Sequence, residues 1–78
     1  MKRNTPMDRN IGAKVQYYRK QRGLTQKALA AQLQINGCDL SEVMVAQIEI
    51  GHRMVSIFEI DKLVEVLHVD YNALFAQD

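Results

Sequence analysis

Apolar residues recur at helical spacing in five stretches of the sequence, separated by polar residues and glycine. In the first stretch, Ile11, Val15 and Tyr18 lie three or four positions apart. This spacing places side chains on one face of an α-helix, and Asn10 just before them is a favourable N-cap. The pattern therefore predicts a first helix over residues 11–21.

Each of the other four stretches begins with a residue that caps helices well. Ser, Thr and Asp are favoured N-caps because their side-chain oxygens accept hydrogen bonds from free N–H groups of the first turn. The predicted N-caps are Thr25, Ser41, Ser56 and Asp70, and Gly51 is predicted to end helix three. The residues predicted to face the core are Leu29, Ala30 and Leu33 in helix two, Met44, Val45 and Ile48 in helix three, and Ile60, Leu63, Val64 and Leu67 in helix four; helix five carries Leu74 and Phe75.

Five short helices joined by brief connections predict a single all-α domain with orthogonally packed helices. A chain of 78 residues is near the lower limit for a core that is stable alone. Residues 1–9 are polar and contain Pro6. We therefore expect a flexible basic arm at residues 1–9 and a folded domain at residues 10–78.

Composition places the chain among globular proteins of a reducing compartment. The apolar fraction is 47%, and no apolar run approaches the roughly 20 residues that span a membrane. The basic start of the chain is not followed by the apolar segment of a secretory signal. Cys38 is the only cysteine, which excludes an internal disulfide and fits the cytosol. We expect a cytoplasmic protein without a membrane partner.

The charges are divided unevenly along the chain, although the net charge is only +1. Residues 1–27 contain eight lysines and arginines and one acidic residue, whereas residues 28–78 contain two basic and eight acidic residues. Such asymmetry is typical of a protein that binds a polyanion through one end. The alternative is that the two segments attract each other within the fold.

The sequence offers little catalytic chemistry. Cys38, His52 and His68 are too scattered for a zinc site. Glu59 and Asp61 lie two positions apart on a predicted helix, so their side chains point in different directions. A phosphate-binding loop, a nucleophile elbow and a dinucleotide signature are all absent from the sequence. We expect a non-enzymatic protein without a metal or a cofactor.

Three segments carry a resemblance to a known family. The first contains Ile11-Gly12 and Arg19-Lys20-Gln21-Arg22-Gly23-Leu24-Thr25-Gln26-Lys27-Ala28-Leu29-Ala30, the second is Val45-Ala46-Gln47-Ile48-Glu49-Ile50-Gly51, and the third contains Val64-Glu65-Val66-Leu67 and, further on, Val69, Leu74 and Phe75. In order and spacing they resemble the phage-repressor-like Cro/CI-type (Xre) helix-turn-helix family, over about residues 10–76. The resemblance implies a compact five-helix, lambda-repressor-like domain that binds double-stranded DNA. Helix two would cross the DNA backbone, and helix three would enter the major groove.

The resemblance also implies roles for particular residues. Gln26 matches a glutamine that contacts the DNA backbone in the family. Thr25 caps helix two and leaves free N–H groups that can face a phosphate. Arg19 and Glu49 match an ion pair between helices one and three. The other predicted phosphate contacts are Lys20, Arg22, Lys27, His52 and Arg53, although each lysine is explained nearly as well as a solvated surface charge.

The outward face of helix three differs from the polar face that is usual in the family. Val43, Ala46, Gln47 and Ile50 lie opposite the predicted buried stripe. Gln47 can bond adenine, worth about 1–3 kcal/mol, the three apolar residues can touch thymine methyls, and Glu42 can accept from cytosine N4. Two interpretations remain: a DNA reader that favours A·T pairs and uses DNA shape, or a face that binds a protein or a second copy.

The predicted turn between helices two and three is longer than is usual in the family. Seven residues, 34–40, separate Leu33 from Ser41. A loop of this length costs little additional entropy, but it can change how helix three is presented.

The family resemblance implies a transcriptional repressor that occupies an operator as a homodimer. Its two recognition helices would then lie about 34–36 Å apart. Tyr71, Leu74 and Phe75 concentrate apolar surface on helix five, so they either form the dimer interface or close the core. The basic arm, with Lys2, Arg3 and Arg9, either reaches into a neighbouring groove or is a solvated tail. The alternative function is a protein-interaction module of the antitoxin type.

Overall fold

The structure, a computed structural model, describes residues 6–76 of the chain. This part of the chain contains five α-helices and no strand: α1 (Pro6–Gln21), α2 (Gln26–Ile35), α3 (Glu42–Glu49), α4 (Ile57–Leu67) and α5 (Tyr71–Phe75). The predicted all-α class and the number and order of the helices are confirmed. Helix α1 packs against α3 and α5, and α2 packs against α3 and α4.

The predicted start of helix one is wrong. Helix α1 begins at Pro6, so residues 6–9, which we expected in the flexible arm, belong to the helix. Proline fits the first turn of a helix because that turn needs no backbone N–H, and the acidic Asp8 favours the same turn. Asn10 is not an N-cap; its side-chain amide donates to the backbone carbonyl of Ala76 at 3.0 Å. Residues 1–5 lie outside the described residues.

The core forms where the apolar faces of all five helices meet. Within residues 6–76, fourteen apolar residues are buried there: Ile11, Val15, Leu29, Ala30, Leu33, Cys38, Leu40, Val45, Ile48, Ile60, Leu63, Val64, Leu67 and Leu74. Nearly all of the residues predicted to face inward are in this set. Cys38 and Leu40, which belong to the turn between α2 and α3, extend the core beyond the helices.

One predicted core residue, Met44, lies at the surface instead, as does Phe75 of α5. Met44 is 36% exposed, because α3 has only eight residues and turns its Val45, Ile48 and Glu49 inward. Phe75 is 39% exposed, whereas Leu74 beside it is fully buried. Leu74 therefore closes the core, as one of the two interpretations of helix five proposed.

The predicted N-caps of α2 to α5 are confirmed. The side chains of Thr25, Ser41, Ser56 and Asp70 each accept a hydrogen bond from the backbone N–H three residues later. At Ser56 the bond is reciprocal, because the Glu59 carboxylate accepts from the backbone N–H of Ser56 at 3.0 Å. These local bonds fix where four of the helices begin.

Hydrogen bonds and buried side chains fix the conformation of the long turn between α2 and α3. Helix α2 ends in a Schellman motif, in which the N–H of Cys38 donates to the carbonyl of Leu33 at 2.8 Å and Gly37 adopts a φ of +86°. The side-chain amide of Gln34 donates to the carbonyl of Leu40 at 3.0 Å. Because Cys38 and Leu40 are also buried, the turn presents α3 in a defined position.

Among the described residues, none of the helices combines the length and the apolar character needed to cross a membrane.

Candidate nucleic-acid interface

The outer side of α3 faces solvent. Val43 is 65% exposed and Ile50 is 58% exposed, and Glu42 and Gln47 are also exposed, whereas Ala46 is half-buried. Ile50 is the C-cap of the helix and not part of it. The five residues predicted to face DNA bases therefore lie on or beside one short helix, and four of them are exposed.

The N-terminus of α2 carries the predicted contacts with the DNA backbone. The Thr25 side chain accepts from the backbone N–H of Ala28 at 3.0 Å. In the described part of the chain, no acceptor is recorded for the backbone N–H groups of Gln26 and Lys27. A helix N-terminus with such free N–H groups attracts anions, since it also carries the positive end of the helix dipole.

A buried ion pair joins α1 to α3. The Nε atom of Arg19 lies 2.6 Å from Oε2 of Glu49, and Nη2 of Arg19 lies 3.1 Å from Oε1. The same guanidinium donates through Nη1 to the backbone carbonyl of Leu24 at 2.7 Å. The side chains of Arg19 and Glu49 are only 9% and 1% exposed. This is the pair that the resemblance implies, and its burial gives it a structural role.

Gln26 also donates a hydrogen bond to the Glu49 carboxylate. Its Nε2 atom lies 3.0 Å from Oε1 of Glu49, so the first residue of α2 is attached to the last residue of α3. This bond was not predictable from the sequence pattern, because the two residues are 23 positions apart and neither belongs to an apolar stripe. The bond brings the predicted backbone contact next to the helix predicted to read the bases.

Arg53, a predicted phosphate contact, is engaged within the protein. Its Nη1 and Nη2 atoms lie 2.9 and 3.0 Å from the two carboxylate oxygens of Glu59. The hydrogen bonds from Arg53 lower the pKa of Glu59, against the opposite effect of partial burial. A phosphate at Arg53 would have to share its guanidinium with Glu59. His52, just before it, is exposed.

The remaining predicted phosphate contacts, Lys20, Arg22 and Lys27, are exposed on different parts of the protein surface. Lys20 lies in the last turn of α1, and Lys27 lies in the first turn of α2 beside Gln26. Arg22 lines a shallow depression with Gln32 of α2 and with Val66 and His68 at the end of α4. Lys27 is therefore the basic residue closest in sequence to the free N–H groups, whereas Arg22 lies towards α4.

Other reactive side chains of the described residues do not assemble into a site. No group of three or more His, Cys, Asp and Glu residues is placed to hold a metal ion within residues 6–76. Cys38 is buried in the core, and this burial raises the pKa of its thiol. Cys38 thus acts as an apolar core residue.

Gly12 supports the interface, although we predicted no role for it. A Cβ atom at this position would lie 2.8 Å from the backbone oxygen of Glu49 and would overlap that of Ile48. Helix α1 can therefore approach the end of α3 closely only because residue 12 has no side chain. A glycine inside a strongly periodic helix is the signal that could have identified this contact.

Comparisons with known proteins agree with this geometry. The model of a helix-turn-helix family, HTH_3, matches residues 15–74. The restriction-modification controller protein C.AhdI from Aeromonas hydrophila has a similar structure, with a TM-score of 0.76 and 29% sequence identity over 87% of this chain and 91% of that chain. A comparison with curated proteins finds no match.

Two other solved structures are also similar. An HTH_3 family transcriptional regulator from Vibrio cholerae gives a TM-score of 0.77 at 29% identity, and the match covers 92% of this chain and 38% of that longer chain. The BldD DNA-binding domain of S. venezulae gives a TM-score of 0.75 at 22% identity, covering 91% of this chain and 99% of that chain. At that identity the likeness to BldD shows a shared fold.

The five helices and the α2–α3 arrangement define a helix-turn-helix domain. The chain belongs to the helix-turn-helix family HTH_3, whose model covers most of its length. The expected family is thereby confirmed. Membership of this family, together with these neighbours, supports a DNA-binding regulator.

Proposed function

We propose that this protein is a sequence-specific DNA-binding transcriptional regulator that inserts α3 into the major groove of an operator. The observation that carries the proposal is the joint presentation of two surfaces. The outer side of α3 is exposed, and the bond from Gln26 to Glu49 holds the N-terminus of α2 beside the end of that helix. A helix-turn-helix uses these two surfaces for bases and for phosphates respectively.

In this proposal α3 favours A·T-rich sequence. Gln47 reads adenine through its side-chain amide, and Val43, Ala46 and Ile50 contact thymine methyl groups. Glu42 accepts a hydrogen bond from a cytosine amino group at the edge of the site. Because only Gln47 can make a bidentate contact with adenine, the remaining specificity comes from DNA shape.

The proposed backbone contacts come from residues outside this helix. Thr25, Gln26 and Lys27 face one phosphate at the N-terminus of α2. Lys20, Arg22, His52 and Arg53 add contacts or long-range attraction to the DNA backbone. The low net charge of the chain does not oppose this role, because its basic residues are concentrated in residues 1–27.

We further propose that the protein acts as a homodimer and represses transcription by occupying its operator. Tyr71 and Phe75 lie one turn apart on α5 and are 47% and 39% exposed, which provides an apolar surface for a second copy around a two-fold axis. Tyr71 donates a hydrogen bond to Asp61, so α4 borders this surface.

The cytoplasm, where the operator would be found, is the proposed location.

The test is selection of bound sequences from a randomised duplex pool at low and at moderate salt. We expect an A·T-rich palindrome to be recovered. Gln47→Ala should reduce the discrimination in favour of adenine at one position of each half-site by about 1–3 kcal/mol. Gln16→Ala, at an exposed position of α1, is the matched control and should leave the selected sequence unchanged.

Two results would contradict the proposal. Binding that disappears with salt and enriches no sequence would indicate a non-specific basic surface. A folded protein that binds no duplex at low salt would instead favour a protein partner that binds Val43 and Ile50. The exposure of these two apolar side chains is the observation that supports a protein-interaction module.

A further inference from the structure

The buried carboxylate of Glu49 receives hydrogen bonds from two different helices. Arg19 of α1 donates two of them, and Gln26 at the start of α2 donates the third at 3.0 Å. The carboxylate is therefore shared between an ion pair that holds the fold and a residue at the proposed DNA surface. The ion pair explains Arg19 and Glu49, but it does not by itself require Gln26.

The bond to Glu49 determines how the Gln26 amide is oriented. An ionised carboxylate only accepts hydrogen bonds, so the amide must direct its NH2 group, and not its oxygen, towards Glu49. The NH2 group has two hydrogens, and Glu49 takes one of them. The other hydrogen is left for an acceptor outside the protein, since Gln26 is only partly buried.

We propose that Glu49 is a positioning residue for the DNA backbone contact, acting through the side-chain amide of Gln26. This inference rests on the function proposed above and adds to it the means by which the phosphate contact is arranged. Glu49 does not touch DNA. It holds the amide in the orientation in which the second N–H points outward, next to the free backbone N–H groups of Gln26 and Lys27.

The charges around Glu49 are compatible with a nearby phosphate. A free carboxylate so close to the DNA backbone would repel it, but Arg19 neutralises Glu49 at 2.6 Å. Three of the five guanidinium N–H groups of Arg19 are already engaged, two by Glu49 and one by the carbonyl of Leu24, and its side chain is only 9% exposed. The pair thus orients Gln26 without adding a net charge to the surface.

The experiment compares the effect of Gln26→Ala on operator affinity in two backgrounds. One background is the wild type, and the other is Arg19→Met/Glu49→Met, which removes the acceptor without leaving a buried charge unpaired. We expect Gln26→Ala to weaken binding about tenfold in the wild type, as for loss of a hydrogen bond to a charged group. In the double-methionine background it should weaken binding about twofold or less.

Lys27→Ala is the matched control. Lys27 neighbours Gln26 and is exposed, and it makes no recorded bond to Glu49 within the described residues. Its substitution should weaken binding by the same factor in both backgrounds. Equal losses from Gln26→Ala in the two backgrounds would overturn the inference, while leaving the proposed function intact. A wild-type protein that binds no duplex would overturn the proposed function itself.

Side-chain amide NMR of the wild type gives a second measurement, which does not depend on the double variant being folded. In the free protein, one Nε2 proton of Gln26 should exchange with solvent more slowly than those of the exposed Gln16. Addition of the operator duplex should shift mainly the other Nε2 proton. If both protons of Gln26 exchange as fast as those of Gln16, the amide is not held and the inference is wrong.

Discussion

A Cβ atom on Gly12 of α1 would overlap the backbone carbonyl oxygen of Ile48 in α3. It would also lie 2.8 Å from the carbonyl oxygen of Glu49. The obstacle is backbone on both sides, so rotation of a side chain cannot relieve it. The closeness of α1 and α3, and with it the burial of the Arg19–Glu49 pair, depends on the glycine.

Gly12→Ala should destabilise the protein even though alanine favours helices. Alanine is preferred over glycine in a helix by about 1 kcal/mol, but the overlap forces α1 and α3 apart, and overpacking of this kind costs about 1–3 kcal/mol or more. We expect a net loss of about 1 kcal/mol or more in the free energy of unfolding, measured by urea denaturation. Gln16→Ala, exposed on the same helix, should change it by less than about 0.5 kcal/mol.

A stabilising Gly12→Ala variant would show that α1 and α3 do not approach as closely as the structure indicates.

Removal of one partner of the Arg19–Glu49 pair should cost more than removal of both. Either Arg19→Met or Glu49→Met leaves an unpaired buried charge, which costs about 3–5 kcal/mol. Arg19→Met/Glu49→Met leaves none and should be more stable than either single variant. Thermal or urea unfolding of the four proteins gives the coupling free energy directly.

The Lys62–Glu65 pair on α4 serves as the comparison. Its atoms lie 3.5 Å apart and the side chains are 24% and 57% exposed. An exposed pair of this kind should couple by at most about 0.5 kcal/mol. If both pairs gave a similar coupling free energy, burial would not strengthen the interaction between Arg19 and Glu49.

The features predicted correctly from the sequence are those that depend on neighbouring residues. Thr25 and Ser41 cap helices because of bonds that span three positions, and Leu29 and Leu33 are buried because they share one face of a long enough helix. Met44 was assigned to the core wrongly, since a two-turn helix does not define its inward face without knowledge of its neighbours.

In the candidate site, too, local features were predictable from the sequence and contacts between helices were not. The exposure of Val43 and Gln47 follows from helical geometry, and the family resemblance implied that Arg19 pairs with Glu49. The bond from Gln26 to Glu49 and the contact of Gly12 with α3 depend on how three helices cross. A sequence pattern with a period of 3.6 residues carries no information about such crossings.

His68 occupies a backbone conformation that favours glycine. It has a φ of +60° and a ψ of +46° at the end of α4, and the N–H of Val69 next to it donates to the carbonyl of Val64 at 3.1 Å. Helices α1, α2 and α3 end in equivalent turns with glycine at the left-handed position. The left-handed conformation costs a residue with a side chain about 1–2 kcal/mol, partly offset by the greater flexibility of unfolded glycine.

We therefore expect His68→Gly to stabilise the protein by about 0.5–1 kcal/mol, which for a domain of this size raises Tm by several degrees. Differential scanning calorimetry measures the change. His52→Gly is the control, because among the described residues His68 is the one non-glycine residue with a positive φ. His52→Gly should lower Tm slightly through the entropy of the unfolded chain, and an equal effect of both changes would contradict the argument.

The Arg53–Glu59 pair should make stability depend on pH in the acidic range. Hydrogen bonds from Arg53, and further bonds with Ser56, lower the pKa of Glu59 below its ordinary value of 4.5. A carboxyl whose pKa is lowered on folding stabilises the native state when ionised. This contribution is fully present above the ordinary pKa and is lost as the pH falls through the lower pKa of the folded protein.

Glu59→Gln removes the charge that pairs with Arg53, whereas the amide oxygen of glutamine can still accept from the backbone N–H of Ser56. At pH 7 it should lower the free energy of unfolding by about 1 kcal/mol, and the difference from the wild type should shrink as the pH falls below about 4. Urea denaturation at several pH values between about 7 and 3 measures this, with Glu65→Gln, at an exposed position of the same helix, as the control. A difference that stays constant down to pH 3 would contradict the argument, because the protonated carboxyl of Glu59 would then stabilise the fold as much as the ionised one.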